Sequence, residues 1–321
     1  MDRKSLKLYT HKSESFLSVR NNTYKQWIFR YTFLELEKDL GNFGDITTRT
    51  FIDEKILAKA QIIAKSDGIL AGLDEIKYFL VDADVNFRPK VSGKFIVDTK
   101  FKDGDVLKKG DIVMEISARA VDILAVERTV LNLLMRMSAV ATKTMKIVEK
   151  VKNFDVLIVP TRKTLWGMLD KKAVFIGGGG THRLSLSDCY LIKDNHLKLI
   201  NYNFDFIYNK IKEKQFESRF IEIEVESLEN AVKAAKMFKK ALADGILNSI
   251  PVIMFDNMSP ESVEMILEEL KSQNLYEDVL FECSGGISEE NVVEYAKTGI
   301  DIISMGEITA DSGKFDMGLE V

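Results

Sequence analysis

From residue 155 onward, short apolar runs alternate with amphipathic stretches. The runs are DVLIVP (155–160), YLIKD (190–194), FIEIEV (220–225), PVIMFD (251–256), VLFECS (279–284) and DIISM (301–305). Continuous apolar runs of this length predict strands covered on both faces. Between the later ones, SLENAVKAAKMFKKAL and SPESVEMILEELKSQ predict helices, each opening on a serine followed by a glutamate in a capping pattern. Repeated strand–helix units without a GxGxxG turn predict a closed or nearly closed parallel β/α barrel rather than an open nucleotide-binding sheet.

Upstream the pattern differs. Residues 1–22 are polar and are expected to form a mobile extension, and TYKQWIFRYTFLELEKDL predicts a helix that the glycines of GNFGD end. Asp45-Ile46-Thr47-Thr48 then leads into short β-prone pieces with Gly/Asp turns, so residues 23–117 read as an α/β sandwich-like domain. A long helix follows from Ala118 to about Lys152 and opens the barrel domain, 118–306, while residues 307–321 are expected to pack on the first domain. Leu124, Leu131 and Met135 mark the apolar stripe of that helix, and Arg128 falls on it four residues after Leu124. An inward arginine requires an anion, or else a neighbouring glutamate or a path to water; spacing leaves these open.

Composition narrows the function. A net charge of −4 argues against a general nucleic-acid binder. The two cysteines, Cys189 and Cys283, lie in apolar runs without CxxC or HExxH, which suggests neither a disulfide framework nor a zinc site and suits a reducing cytoplasm. The N-terminus lacks the apolar core of a signal peptide, and no apolar run reaches the roughly 18 residues a membrane helix needs. Against the acidic whole, Thr161–Lys198 carries seven Lys/Arg and three Asp around the glycine run 177–180, as expected of a site for an anionic small molecule.

The expected strand ends supply the candidates, because barrels of this type place chemistry there. Arg162, Arg183 and Arg128 are fork-shaped partners for carboxylate or phosphate, and Lys163 and Lys193 are compact charges for phosphate oxygens. Glu224 and Asp256 suit a water-mediated Mg²⁺ or a positively charged sugar transition state, helix capping being the rival for Asp256. Ser284, Gly285, Gly286 and Gly306 allow backbone amides to close on a phosphate, and His182 lies between the glycine run and Arg183.

These residues resemble the quinolinate phosphoribosyltransferase family, also called carboxylating nicotinate-nucleotide pyrophosphorylases. The resemblance runs from about Asp45 to the C-terminus through GDITT (44–48), ERTVLN (127–132), TRKT (161–164), GGG.THR (177–183), LIKDNH (191–196), IEVE (223–226), FDNMSPE (255–261), ECSGGI (282–287) and the SMG of 304–306. It implies a sandwich-like domain plus an incomplete α/β barrel, in a homodimer or homohexamer whose subunits share active sites. It implies transfer of phosphoribose from phosphoribosyl pyrophosphate to quinolinate, with Mg²⁺ as cofactor, giving nicotinate mononucleotide, pyrophosphate and CO₂ in NAD biosynthesis. By the same resemblance Arg128 (from a neighbouring subunit), Arg162, His182, Arg183 and Lys193 bind the pyridine dicarboxylate. Lys163 meets the donor, Glu224 and Asp256 serve ribose and Mg²⁺, and Ser284, Gly285, Gly286 and Gly306 hold the 5′-phosphate. The chain departs from the family pattern at Pro160, Leu169, Thr181 and Ala310 and by an insertion between Lys193 and Asp256. The alternatives are a relative of the pyrophosphorylase-like proteins found with molybdate transport, acting on another aromatic acid or base, and a non-catalytic phosphometabolite-binding paralogue.

Overall fold

The computed structural model describes residues 1–84, 88–213 and 217–321. The chain divides into two compact units. One comprises Met1–Ser13, Ile147–Lys163 and Gly179–Glu307, and the other Glu14–Lys146, Thr164–Gly178 and Ile308–Val321.

The first unit is built on a six-stranded parallel sheet. Its order is Leu157–Pro160, Ile302–Met305, Leu280–Ser284, Ile250–Asp256, Phe220–Val225, Tyr190–Ile192. Each strand falls within one or two residues of its predicted run. Leu157, Val159, Cys189, Phe220, Val252, Leu280 and Ile302 join one buried cluster, so that the sheet curls around a shared core. The two edge strands do not pair with each other, which leaves the barrel incomplete. Parallel register places Ser284 beside Asp256 and Met305 beside Pro160, bringing the C-terminal strand ends to one side.

The connecting helices Leu228–Ala243 and Pro260–Ser272 begin where the serine signals predict. Ser227 accepts from the Asn230 amide and Ser259 from the Ser262 amide, each cap contributing about 1 kcal/mol. Their inward stripes, Ala231, Ala234, Ala235 and Phe238 in one and Val263, Ile266, Leu267 and Leu270 in the other, are buried. Burial of such stripes is the main source of helix stability in a folded protein.

The polar N-terminal stretch departs from expectation. Arg3–His11 is a helix, capped by Asp2, with Lys7, Thr10 and His11 buried. Its cations meet carboxylates that precede strands: Arg3 pairs with Asp301 at 2.6 Å and Lys7 with Asp155 at 2.8 Å. A polar pattern therefore concealed a docked helix, because its partners are charged rather than apolar.

In the second unit an antiparallel sheet runs in the order Met317–Glu320, Leu57–Ala64, Ile112–Arg119, Ile96–Asp98. The 45–48 stretch first forms a short helix, Ile46–Phe51, because the Asp45 carboxylate caps it at the Thr48 amide, 2.9 Å away. The helix Ala120–Lys150 fulfils the prediction of a long helix, but its inward stripe is Ile123, Val126, Val130, Leu134 and Met137. Arg128 is exposed, a correction to the inward placement read from spacing. The half-buried arginine is Arg136, which grips the buried Asp170 through two contacts of 3.0 Å. Among the described residues no helix is long and apolar enough to cross a membrane.

Candidate active site

A cavity of about 830 Å³ opens at the C-terminal ends of the parallel strands. Eleven of the twelve predicted substrate residues line it: Arg162, Lys163, His182, Arg183, Lys193, Glu224, Asp256, Ser284, Gly285, Gly286 and Gly306. The twelfth, Arg128, is not among its lining residues.

The cationic wall begins with Arg162 and Lys163, exposed just beyond the Leu157–Pro160 strand. Arg183 is 6% exposed, and its guanidinium has no ion-pair partner among the described residues. Burial depresses its pKa, and the neighbouring Arg162 charge adds to that effect. A buried unpaired guanidinium is costly unless an anion arrives, so Arg183 marks where one belongs.

Opposite stand the carboxylates. Glu224, one residue before the end of its strand, is nearly buried, with Oε2 2.6 Å from Lys193 Nζ. Asp256 accepts a hydrogen bond of 2.7 Å from Asn257 Nδ2, and burial, reinforced by the Glu224 charge, raises its pKa. Asp256 does not cap a helix, since Ser259 fills that role.

Glycine is required where the last strands turn. Gly285 has φ +85°, and a Cβ there would lie 2.3 Å from Asn257 Oδ1. Gly286 also has a positive φ, +66°. At Gly306 a Cβ would meet nothing closer than Thr161 Oγ1 at 3.5 Å, so the space it leaves belongs to the cavity.

His182 reaches inward from the cavity wall. The Arg183 amide points at its Nδ1 (2.6 Å), which places the shared proton on Nε2, 3.2 Å from Glu282 and 3.4 Å from Glu222. Both glutamates are fully buried, as is His11, whose Nε2 lies 3.2 Å from Glu282. Burial lowers the His11 pKa to about 4. Burial and the Glu282 charge push Glu222 up to about 7. Burial would raise Glu282 too, but His182 and His11 together hold it well below the carboxylate range. These four residues lie within reach of one another as the ligands of a metal centre do, and among the described residues His11 Nε2 and all four glutamate oxygens lack a well-aligned hydrogen bond. His182, whose Nδ1 accepts from the Arg183 amide, turns a proton-bearing Nε2 toward the carboxylates and leaves that ring no lone pair for a cation.

The family described as "Quinolinate phosphoribosyl transferase, C-terminal domain" matches residues 140–320, and its N-terminal counterpart matches residues 45–138. The chain belongs to the quinolinate phosphoribosyltransferase family. A probable nicotinate-nucleotide pyrophosphorylase [carboxylating] of Methanothermobacter thermautotrophicus is 38% identical over 290 residues, covering 89% of this chain and 96% of that protein. A mitochondrial quinolinate phosphoribosyltransferase [decarboxylating] of Nicotiana tabacum is 31% identical, covering 90% of this chain and 80% of that protein. The solved nicotinate-nucleotide pyrophosphorylase from Francisella tularensis aligns with a TM-score of 0.76 at 28% identity, over 92% of this chain and 96% of that one.

Several residues of this site are given no role by the sequence alone. Asn257 (φ +54°) ties two strand ends together, its amide donating to the Ser284 carbonyl at 2.9 Å. His196 lines the cavity and accepts from the Lys193 amide at 2.8 Å. Glu222 and Glu282 carried a readable signal, for each is a carboxylate inside an apolar strand two residues before a cavity residue, hence on the same face and one layer deeper.

Proposed function

We propose that this protein joins quinolinate to phosphoribosyl pyrophosphate, releasing pyrophosphate and CO₂ and leaving nicotinate mononucleotide. The observation that carries this reading is the buried, unpaired Arg183 guanidinium in the same cavity as the Glu224 and Asp256 carboxylates. Anion binding alone would need only the first, while stabilising a cationic sugar needs the second.

In this reading Arg162, Arg183 and Lys193 hold the two ring carboxylates, and Ser284, Gly285, Gly286 and Gly306 cradle the 5′-phosphate. The C1′–oxygen bond to pyrophosphate breaks as the ring nitrogen bonds to C1′, and Lys163 takes up charge developing on the leaving group. Glu224 and Asp256 stabilise the oxocarbenium-like sugar. The ribosylated, positive ring nitrogen then accepts the electron pair left at C2 as CO₂ departs, and a proton takes the vacated position. The chain's task in that step is to position charge and exclude water.

Glu224 and Asp256 also fit Mg²⁺: the raised Asp256 pKa records two hard oxygen donors crowded in one cavity and opposed chiefly by Lys193. Bound there with the donor, Mg²⁺ would neutralise pyrophosphate charge. Of the departures within this unit, Pro160 and Thr181 do not argue for another acceptor, since neither lines the cavity. Arg128, exposed on its helix, is assigned to the active site of a second copy of the chain, in keeping with the shared sites of the family.

Product analysis tests the proposal, using phosphoribosyl pyrophosphate, Mg²⁺ and a panel of quinolinate, nicotinate and related ring acids. CO₂ and nicotinate mononucleotide formed from quinolinate are expected. Turnover only with another acid would move the substrate. No pyrophosphate release from any of them, beside an active family control, would sink the assignment.

A further inference from the structure

The N-terminal helix ends against the chain that delivers Arg183. The His11 carbonyl accepts the Thr181 amide at 2.6 Å and the His182 amide at 3.3 Å, and the Ser13 amide donates to Thr181 Oγ1 at 2.9 Å. Gly180 permits this approach, since a Cβ there would lie 2.5 Å from the His11 carbonyl oxygen. On its other side the Gly180 amide donates to the Ile158 carbonyl at 2.8 Å. Residues 180–182 thus run in the barrel's open gap, held by an edge strand on one flank and by His11 on the other.

The His11 side chain grips the same segment from below. Its ring stacks on Phe220 (4.4 Å between centroids, 27° between planes) and meets the His182 ring edge-on at 4.9 Å. Both rings aim Nε2 at Glu282. His182 is held at φ +49°, a conformation that a residue with a side chain keeps only when its surroundings impose it. The next residue is Arg183.

We propose that His11 is a positioning residue of the active site, holding the Gly180–Arg183 segment so that the Arg183 guanidinium faces the aromatic diacid. The claim rests on the proposed reaction only for the identity of that ligand. Thr181, where the family pattern has another residue, spends its hydroxyl on the N-terminal segment, so that the departure and the docked helix form one device.

The test compares full-length wild type with His11→Ala, His11→Gln and Arg3→Ala. Arg3→Ala loosens the same helix at Asp301 without touching residues 180–183, and so controls for lost stability. His11→Ala should raise KM for quinolinate by about tenfold or more while leaving KM for phosphoribosyl pyrophosphate and kcat within about threefold. His11→Gln, whose amide can donate toward Glu282, should recover part of the loss. Arg3→Ala should lower Tm without moving the acceptor KM. Amide hydrogen exchange gives a readout independent of turnover: residues 180–183 should exchange faster in His11→Ala than in Arg3→Ala. If wild type transfers no phosphoribose, the reaction fails and the exchange result still decides the positioning claim. Equal rises in both KM values, unchanged exchange at residues 180–183, or one tightly bound divalent metal ion per chain by elemental analysis would overturn it.

Discussion

Lys193 Nζ lies 2.6 Å from Glu224 Oε2, a lysine after one edge strand paired with a carboxylate near the end of its neighbour. Each holds the other in the cavity before any ligand arrives, and among the described residues Asp256 has no cationic hydrogen-bond partner. Asp256→Ala should therefore lower kcat by about 10²- to 10³-fold, the usual loss when one group stabilising transition-state charge is removed. Quinolinate affinity, measured by calorimetry on the same variant, should change far less. Equal losses in both would turn Asp256 into an ordinary binding group and favour the non-catalytic paralogue.

Arg183→Lys keeps a positive charge and removes the planar fork. If the guanidinium meets a ring carboxylate, the substitution should raise acceptor KM by the equivalent of about 1.5–3 kcal/mol, the range for a hydrogen bond to a charged group. Nicotinate, with one carboxylate fewer, should lose less than quinolinate in a competition assay. Identical losses for both acids would move Arg183 away from the distinguishing carboxylate.

How much of this was legible follows from where each residue gets its meaning. The parallel strands could be read because continuous apolar runs have few other uses, and their C-terminal ends pointed to the cavity residues without a structure. Arg128 was misplaced because a stripe drawn through Leu124, Leu131 and Met135 sits beside the true one, and both share Leu131's neighbourhood on a long helix. The N-terminal helix escaped notice because Arg3 and Lys7 are satisfied by Asp301 and Asp155, residues about 300 and 150 positions away. Local hydropathy cannot register so distant a partner. For His11 the signal exists only in three dimensions, as one imidazole meeting Glu282, His182 and Phe220 together.

Gly285→Ala tests the phosphate turn. The added methyl would stand 2.3 Å from Asn257 Oδ1, at a φ of +85° that alanine adopts poorly. The strain alone is worth about 1–2 kcal/mol, and Asn257 must also shift. KM for phosphoribosyl pyrophosphate should rise more than KM for quinolinate. Initial-rate kinetics with each substrate varied in turn would show the split, and a selective effect on quinolinate would reassign the turn.

The buried network predicts a pH dependence of stability. Glu222 is held up to about 7 in the folded chain, against an ordinary value of 4.5, so the native state binds the extra proton. Stability from this group is fully present below the unfolded value and is lost as pH rises from there through 7. Glu282 and His11 act on the acid side. The first is depressed and the second lowered to about 4, so both cost stability as pH falls through their unfolded values toward their folded ones. Glu222→Gln should flatten the fall in Tm between about pH 5 and 8 and leave the acid limb in place. An unchanged slope would assign the alkaline fall first to His182, which burial would lower but the Glu282 and Glu222 charges push up to about 9, and then to Asp103, raised to about 8 by burial and by Glu75.

The exposed position of Arg128 yields a complementation experiment. If Arg128 serves a neighbouring copy, Arg128→Ala and Lys163→Ala each disable every site in a homo-oligomer, but by removing different contributions to it. Mixing the two allows hybrids in which an intact Arg128 from one chain meets an intact Lys163 from the other. For randomly assorted dimers, half the dimers are hybrids with one complete site in two, so about one quarter of wild-type activity should return. The recovery should appear only after conditions that let subunits exchange, checked by light scattering before and after mixing. No recovery despite demonstrated exchange would confine Arg128 to its own chain and remove the shared site from the proposal.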